Sequence, residues 1–441
     1  MHQASLIQAV IDLIHEVELS TLPADNIIAN FFRKRRYIGS SDRKFISETV
    51  YAIIRNKLSL QWLLGNDNAV QASVDVRFAR LLVIAWLISN NYNEQSIKAI
   101  FCSGQYSPEC LSDFEISVIP RIKDNLTRAK PENVKHNVPE WLVPELEESF
   151  GDSWQDHVDA LNKPAKVDLR TNTLKATREQ VLFSLAQEGI KADATKYSPW
   201  GIRISGNIRL SPHSSVLSEG LAEVQDEGSQ LLSLMTQAKP AQTVVDFCAG
   251  AGGKALALAA MMENKGSLYA LDVSQNKLNE AKKRLSRAGV SNARVLVPDA
   301  KWLKRHEGFA DVVLVDAPCS GSGTWRRNPD RKWRLTPKEL ARLINLQVEI
   351  LNTAKCLVKT GGRLIYATCS VFKSENEAQI LRFLNENTDF DLFNAVYNFH
   401  PQIKGLIKDG FLRTSPLLNN VDGFCATTLI NKGHESFTLS L

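Results

Sequence analysis

Long apolar runs are missing from this sequence of 441 residues. The longest of them, residues 81–88, is far too short to span a bilayer as a helix. The first residues, Met-His-Gln-Ala, are not a basic segment followed by an apolar one, so they do not resemble a secretory signal. We therefore expect a cytoplasmic protein.

Cysteine is scarce, and its spacing argues against two common uses. The seven cysteines are odd in number and scattered along the chain, which does not fit a disulfide framework. No Cys-x-x-Cys pair is present, so we predict no zinc site or other metal site. We expect reduced thiols, and four of them are predicted to be small buried side chains: Cys102, Cys110, Cys356 and Cys425.

A strong net charge is also absent, since the formal charge is only +5, but the positive charges are clustered. Residues 31–60 contain eight basic and two acidic side chains. A solvated face and a nucleic-acid surface explain that cluster equally well. Residues 325–334 interleave cations with two tryptophans, and this combination suits a phosphate backbone and an unstacked base.

The length exceeds what one hydrophobic core usually holds, so two or three domains are expected. Residues 1–135 favour an all-helical domain, because apolar residues such as Ile46, Val50 and Ile53 recur at helical spacing. Residues 136–223 show strand, helix and strand in order, which predicts a small α+β lobe. Residues 224–441 form the third predicted domain.

Strand and helix patterns alternate in the third predicted domain. Five strands are predicted at residues 243–247, 267–272, 294–297, 311–316 and 362–368. Helical stretches separate them at residues 254–262, 274–288 and 337–357. This alternation predicts an α/β fold with a doubly wound, mainly parallel sheet.

The turn after the first of these strands, residues 246–254, is rich in glycine. Asp272 closes the next strand, where a carboxylate can accept hydrogen bonds from two ribose hydroxyls. A nicotinamide dinucleotide is the rival ligand, but the strict Gly-x-Gly-x-x-Gly spacing is absent. One nucleoside with a charged tail fits better, and we predict S-adenosylmethionine. The predicted cofactor-binding residues are Cys248, Ala249, Gly250, Ala251, Gly252, Gly253, Lys254, Asp272, Asp299 and Asp316.

Two of these assignments have a plainer alternative, since Lys254 and Asp299 could each simply cap a helix.

Two strand patterns also run directly into a cysteine. Asp316 ends one strand just before Cys319, and the strand at residues 362–368 leads into Cys369. The carboxyl ends of strands in α/β sheets are where active sites lie. We therefore expect both thiols and the Asp316 carboxylate at one edge of the sheet.

Together these motifs resemble the Fmu/Sun family of RNA 5-methylcytosine methyltransferases. The motifs that carry the resemblance are residues 224–230, 246–254, 271–272, 316–321, 332–333, 367–371 and 422–424. Residues 170–174 are similar to that family's RNA-facing lobe, which is RRM-like. Residues 41–56 are similar to the NusB-type RNA-binding helical domain of the bacterial 16S ribosomal RNA member. One departure is Ala251, where the family usually has proline, so we expect a more relaxed turn.

The resemblance implies a two-thiol reaction. Carbon 5 of cytosine is a poor nucleophile, so an enzyme first adds a thiolate at carbon 6. By the resemblance Cys369 is this nucleophile, Cys319 assists release of the product, and Asp316 stabilises the charge that develops near ring nitrogen 3. The target base must leave its stack, which favours single-stranded or opened RNA. The implied RNA-binding residues are Arg170, Asn172, Arg326, Arg327, Arg331 and Lys332.

Three alternatives stay open to different degrees. A binding-only protein would need a broken cofactor turn or a missing thiol, and only Ala251 departs from the pattern. A DNA cytosine methyltransferase would need only the Pro-Cys thiol, so the additional Thr-Cys thiol argues against DNA. Transfer RNA methyltransferases share this catalytic core, and only the resemblance of the front domain favours ribosomal RNA. No coiled-coil heptads are present, so a monomer is expected.

Overall fold

The computed structural model describes residues 1–65, 75–102, 104–206, 210–211, 214–393 and 400–433. The chain forms two compact units. The first unit comprises Met1–Glu147 and Arg327–Leu335, and the second comprises Glu148–Arg326 and Thr336–Leu441. Among the described residues, no helix combines the length and the apolar character that a membrane crossing requires.

The described part of the first unit is helical, which confirms the predicted helical N-terminal region. Its α-helices are Gln3–Leu19, Ala24–Lys34, Ser40–Arg55, Lys57–Leu64, Val76–Ser89, Glu94–Ile100, Asp113–Leu126 and Glu132–Lys135, and the helix Val143–Phe150 continues into the second unit. The helices form because their apolar residues share one face, as Val10, Leu13 and Ile14 do in the first helix. Ser112 and Glu115 cap the helix Asp113–Leu126 reciprocally.

The segment Arg327–Leu335 belongs to the first unit although it lies late in the sequence. It contains the short helix Asp330–Arg334. Trp333 Nε1 donates to the Ile54 carbonyl at 2.7 Å, and Asp330 accepts a hydrogen bond from the Ala24 amide at 3.0 Å. The observed unit therefore differs from the domain predicted at residues 1–135, because it ends at Glu147 and includes this distant segment.

The second unit begins with a small antiparallel sheet. Its strands are β1 (Asp168–Thr171), β2 (Ala192–Ala194), β3 (Gly201–Ile204) and β4 (Ala222–Val224), in the order β2-β3-β1-β4. The helix Arg178–Gln187 buries Val181 and Leu185 in the same cluster as Leu169 of β1. The alternating pattern of residues 201–210 predicts a longer strand than the observed β3, which ends at Ile204, and residues 207–209 lie outside the described residues.

The predicted strands form the parallel part of the larger sheet. These are β5 (Thr243–Asp246), β6 (Ser267–Leu271), β7 (Ala293–Leu296), β8 (Ala310–Asp316) and β9 (Val358–Thr368), and all pairings among them are parallel. The sheet order runs β9-β8-β5-β6-β7 through this part. Helices connect the strands at Gly253–Met261, Gln275–Arg287, Ala300–Arg305 and Pro337–Ala354. The predicted Rossmann-like α/β fold is confirmed.

Both faces of the central strands are buried. Val244 of β5 and Val312 of β8 point into one hydrophobic cluster, whereas their neighbours Val245 and Val313 point into another. Because helices cover both faces, these strands are continuous apolar runs rather than alternating ones. The polar residues of the strands are thus concentrated at their ends, where ligands can reach them.

An antiparallel extension of this sheet was not predicted from the sequence. It consists of β10 (Phe390–Leu392), β11 (Ile407–Lys408), β12 (Phe411–Thr414) and β13 (Phe424–Asn431), with β13 paired against β9. The remaining helices of the unit are Trp154–Leu161, Ser215–Ser218, Glu227–Met235, Glu377–Glu386, Pro401–Lys404 and Pro416–Asn419. The extension places Gly423 against Gly323, where a Cβ on Gly323 would lie 1.9 Å from the Gly423 carbonyl oxygen.

The cysteines outside the predicted site correct one expectation. Cys425 is buried as predicted, but Cys102, Cys110 and Cys356 are exposed. Cys102 and Cys110 lie in the connection between two helices, and such connections run over the protein surface.

Candidate active site

Two thiols meet at the carboxyl edge of the large sheet. β8 and β9 pair in parallel with Asp316 opposite Ala367, so the turns that follow the two strands start side by side. Cys319 and Cys369 stand in these turns, both half-buried, with their Sγ atoms 3.4 Å apart. The structure thus brings together the two cysteines that the sequence singled out.

The surroundings of Cys319 keep it protonated. A hydrogen bond with Cys369, burial, and the negative charges of Cys369 and Glu375 raise the pKa of Cys319 well above its ordinary value. Because the thiolate is the nucleophilic form, a thiol of this kind is a poor nucleophile at neutral pH.

Lys254 is a buried cation that interacts electrostatically with Cys369. The Lys254 ammonium is 2.5 Å from Asp316 Oδ2, and the lysine is 9% exposed. Burial by itself lowers the pKa of Lys254, but Asp316, Asp246 and Cys369 outweigh it and raise that pKa overall. Lys254 was predicted to bind the cofactor or simply to cap a helix, and the structure pairs its ammonium with Asp316; the cofactor contact stays a prediction.

Asp246 lies beneath this ion pair and is completely buried. Burial raises the pKa of Asp246 to about 7, and the Lys254 cation partly opposes that rise. Of these two carboxylates, Asp316 is the solvent-accessible one, with its side chain 30% exposed.

The glycine-rich turn after β5 leaves one side of its backbone open to a ligand. Gly250 and Gly252 have φ angles of +54° and +81°, which non-glycine residues adopt only with strain. A Cβ on Gly250 or on Gly253 would meet nothing within 4 Å, so this side of the turn is open. Asp272 accepts the Gly250 amide at 2.9 Å and fixes the turn from the end of β6. An open backbone beside an acidic strand end fits a nucleoside ligand.

The remaining predicted cofactor residues differ in their environments. Ala249 and Ala251 belong to the same turn, and Cys248 lies half-buried within it. Burial and the nearby carboxylates, Asp316 first, raise the pKa of Cys248 far above its ordinary value, so that thiol is unreactive. Asp299 is exposed and caps the helix Ala300–Arg305 by accepting the Trp302 amide at 2.6 Å.

Two arginines donate hydrogen bonds to backbone carbonyls of the glycine-rich turn, and the sequence did not predict this role. Arg284 Nη1 donates to the Ala251 carbonyl at 2.8 Å, and Arg170 Nη1 donates to the Gly253 carbonyl at 2.7 Å. Glu223 in turn accepts from Arg284 at 3.0 Å. No local sequence pattern marks these contacts, because Arg170 and Glu223 come from the small sheet.

Four predicted RNA contacts are buried in this structure. Arg170, Asn172, Arg326 and Lys332 are at most 5% exposed. Asn172 donates to the carbonyls of Gly220 and Ala288, and Arg326 lies 3.9 Å from Asp422. In this conformation these side chains contact other parts of the protein, and their RNA contacts stay a prediction.

The other two predicted contacts stay accessible. Arg331 is exposed, and Arg327 is half-buried. Both belong to the segment that packs with the helical unit. They remain predicted RNA contacts.

Comparisons with known proteins agree with this geometry. A family model described as 16S rRNA methyltransferase RsmB/F matches residues 233–430, and an RsmF/B-like ferredoxin-like domain matches residues 138–211. The probable ribosomal RNA small subunit methyltransferase B of Bacillus subtilis (strain 168) is 29% identical over 431 residues, which cover 92% of this chain and 95% of that protein. The protein of the same name from Synechocystis sp. is 32% identical over 298 residues, or 67% of each chain.

A solved structure extends the agreement to three dimensions. The crystal structure of PH0851 is 28% identical to this chain and aligns with a TM-score of 0.79, covering 98% of this chain and 99% of the other. The helical front, the small sheet and the α/β unit therefore have counterparts in one solved protein. The motifs, the strand-end thiols and these relatives all point to one family. The chain belongs to the RsmB/F family of 16S rRNA methyltransferases, and its cofactor is S-adenosylmethionine.

Proposed function

We propose that the chain forms 5-methylcytosine in 16S ribosomal RNA through a covalent bond between Cys369 and carbon 6 of the cytosine. The observation that carries the proposal is the opposite charge beside each thiol. The Lys254 cation interacts electrostatically with Cys369, whereas the Glu375 carboxylate interacts with Cys319. A nearby cation favours a thiolate, and a nearby anion favours a thiol. This asymmetry supports Cys369 as the nucleophile.

The cofactor would be held by the turn after β5. The open backbone at Gly250 and Gly253 can lie against it, and Asp272 can accept hydrogen bonds from its ribose hydroxyls. We keep Cys248, Asp299 and Asp316 as further cofactor contacts. Bound S-adenosylmethionine supplies the electrophilic methyl group.

The protein's own residues would act on the cytosine in sequence. Cys369 adds to carbon 6, and the resulting enamine makes carbon 5 nucleophilic toward the methyl group. Ring nitrogen 3 takes a proton from solvent as the enamine forms, and the Asp316 carboxylate, 2.5 Å from the Lys254 ammonium, accepts a hydrogen bond from that N–H. Water then takes the proton from carbon 5, and the electron pair of that C–H bond re-forms the double bond between carbons 5 and 6 and expels Cys369 as a thiolate. Cys319, 3.4 Å away, can donate a hydrogen bond to the departing sulfur and so assist release.

The test is denaturing gel analysis for a covalent protein–RNA adduct after incubation with 16S ribosomal RNA and S-adenosylmethionine. We expect Cys319→Ala to accumulate the adduct and Cys369→Ala to form none. Cys356→Ala is the matched control, because that thiol is exposed and lies outside the site. The reverse pattern would exchange the two roles, and no adduct with any variant would contradict the covalent mechanism.

The same assay separates the RNA classes. We expect the adduct with 16S ribosomal RNA and not with transfer RNA, and an adduct with transfer RNA alone would overturn the proposed substrate. Sequencing the trapped RNA then identifies the cytosine. We further propose that the enzyme acts as a monomer in the cytoplasm, which sedimentation analysis and fractionation of cells would check.

A further inference from the structure

A buried polar network joins the two turns that carry the thiols. We call Ser320, Ser322, Gln347, Ser370 and Glu375 the serine–glutamate network. Ser320 is 6% exposed and the other four side chains are completely buried. None of them takes part in the covalent steps proposed above.

Glu375 lies at the centre of this network and fixes the turn that carries Cys319. Its Oε1 accepts the Ser320 amide at 2.8 Å and Gln347 Nε2 at 3.0 Å. Its Oε2 accepts the Ser320 hydroxyl at 2.5 Å. Gln347 Nε2 also donates to the Pro318 carbonyl at 3.0 Å. The residues on both sides of Cys319 are therefore tied, directly or through Gln347, to one carboxylate.

The serines extend this connection to the turn that carries Cys369. Ser370 Oγ lies 3.2 Å from Ser320 Oγ and 3.0 Å from Ser322 Oγ. The Val371 amide donates to Ser322 Oγ at 2.9 Å, and the Gly323 amide donates to the Cys369 carbonyl at 3.0 Å. Hydrogen bonds from Glu375 thus reach the residue next to each thiol.

Burying a carboxylate destabilises the folded state unless several hydrogen-bond donors contact it, so the burial of Glu375 needs a physical explanation. The hydrogen bonds of Glu375 supply the donors, and a hydrogen-bonded ionised group fixes geometry more strongly than a neutral one. The carboxylate also acts electrostatically on Cys319. A neutral side chain in place of Glu375 could form hydrogen bonds but could not act electrostatically on Cys319.

We propose that Glu375 is a positioning residue that holds Cys319 against Cys369 and places a negative charge beside Cys319, so that Cys369 alone acts as the nucleophile. This inference rests on the proposed two-thiol reaction. Its geometric part can nevertheless be measured without RNA or cofactor. A displacement of about 1 Å at a reacting group can cost about 10²-fold in rate, so we expect a loss of that size in kcat for Glu375→Ala.

The first experiment measures how readily the two thiols cross-link in the purified full chain. Diamide takes two electrons and two protons from Cys319 and Cys369 and leaves a disulfide, which mass spectrometry of the linked peptides quantifies. We expect cross-linking to be about 10-fold slower in Glu375→Ala and intermediate in Glu375→Gln, which keeps the side-chain shape. Wild-type rates in a folded Glu375→Ala would overturn the positioning role.

Glu115→Gln is the matched control. Glu115 is also a buried carboxylate with several hydrogen bonds, from Arg80 and from Ser112, but it lies in the helical unit. Glutamine is compatible with its capping position. We expect wild-type cross-linking from this variant, which shows that loss of a buried carboxylate does not by itself slow the reaction.

A second experiment tests the charge. Alkylation of Cys319 by iodoacetamide is followed against pH in a Cys369→Ala background, with and without Glu375→Gln. Removing the carboxylate charge should lower the pKa of Cys319, so the midpoint of alkylation moves to lower pH. A purely structural Glu375 predicts an unchanged midpoint, and that result would overturn the electrostatic half of the inference.

These readouts distinguish the inference from the proposed function. If the Glu375 variants behave as expected but Cys319→Ala forms no RNA adduct, the positioning of the thiols stands and the covalent RNA reaction fails. If the adduct forms but the Glu375 variants cross-link and titrate like wild type, the proposed function stands and the role of Glu375 is wrong.

Discussion

At the scale of single residues, Lys332 shows how burial changes a basic side chain. The sequence places it in a cationic cluster, yet it is completely buried in the segment that packs with the helical unit. Burial, and to a lesser extent the Arg55 charge, lower the pKa of Lys332 to about 7. Burial of the charged form therefore opposes folding.

This shift predicts a pH dependence of stability. Between pH 7 and 10.5 the unfolded chain holds more protons on Lys332 than the folded chain does, so the free energy of unfolding rises with pH over that range. Lys332→Met should remove this rise and stabilise the segment at pH 6–7, by at most about 5 kcal/mol. The advantage should shrink toward pH 10.

Hydrogen exchange of peptides from residues 327–335 and 40–55, measured at several pH values, checks this prediction locally, because a chain of two units need not unfold in one step. Lys338→Met is the control, since Lys338 is exposed. Equal pH profiles for wild type and Lys332→Met would contradict the prediction.

At the scale of elements, the turn after β5 depends on two neighbouring structures for its rigidity. Ala251 replaces the proline usual in the family, but its carbonyl accepts a hydrogen bond from Arg284 of the helix Gln275–Arg287. Arg170 of β1 holds the Gly253 carbonyl in the same way. External hydrogen bonds thus take over part of the restraint that proline would give through its fixed φ.

We therefore predict that Arg284→Gln weakens S-adenosylmethionine binding by about 10-fold, because a hydrogen bond to a charged group contributes roughly 1.5–3 kcal/mol. Adding Ala251→Pro to that variant should restore most of the affinity by stiffening the turn from within. Isothermal titration calorimetry measures both effects.

Arg287→Gln is the matched control for this series. Arg287 shares the partner Glu223, at 2.5 Å, but its guanidinium donates to that carboxylate rather than to a carbonyl of the turn. Affinity should stay near wild type. Equal losses from Arg284→Gln and Arg287→Gln would show that the ion pairs with Glu223, and not the Ala251 contact, maintain the site.

At the scale of the whole molecule, the helical unit offers an exposed basic surface. Arg33, Lys34 and Arg36 are exposed, and the neighbouring Tyr37 is 74% exposed. Cations beside an accessible aromatic ring suit RNA backbone and an unstacked base. The sequence left this cluster open between a solvated face and a nucleic-acid surface, and because both would be exposed, it is the accessible Tyr37 ring that leads us to predict the second.

Replacing Arg33, Lys34 and Arg36 together by alanine should weaken RNA binding and lower the slope of log affinity against log salt by about 2–3, since each phosphate contact contributes roughly 0.7–0.9. Filter binding at several salt concentrations measures the slope. Replacing the exposed Lys282, Lys283 and Lys301 controls for the change in net charge. Equal slopes for the two triple variants would favour the solvated face.

The sequence by itself determined the features that depend on local pattern. Apolar runs ending at Asp316 and at Thr368 predicted β8 and β9, because a strand buried on both faces leaves its polar residues at its ends. The following cysteines then had to lie at one edge, since parallel neighbours share their direction. Glycines at 250 and 252 likewise marked the cofactor turn through the backbone conformations they permit.

Only the tertiary structure decided which charged residues face solvent and which support the site. Glu375, Arg284 and Lys332 resemble ordinary surface residues in the sequence, and their hydrogen-bond partners or packing surfaces lie in elements far along the chain. Burial and long-range contacts set their pKa values and roles, and neither leaves a local periodicity. The sequence therefore predicted which groups react, whereas the fold determined how those groups are held and charged.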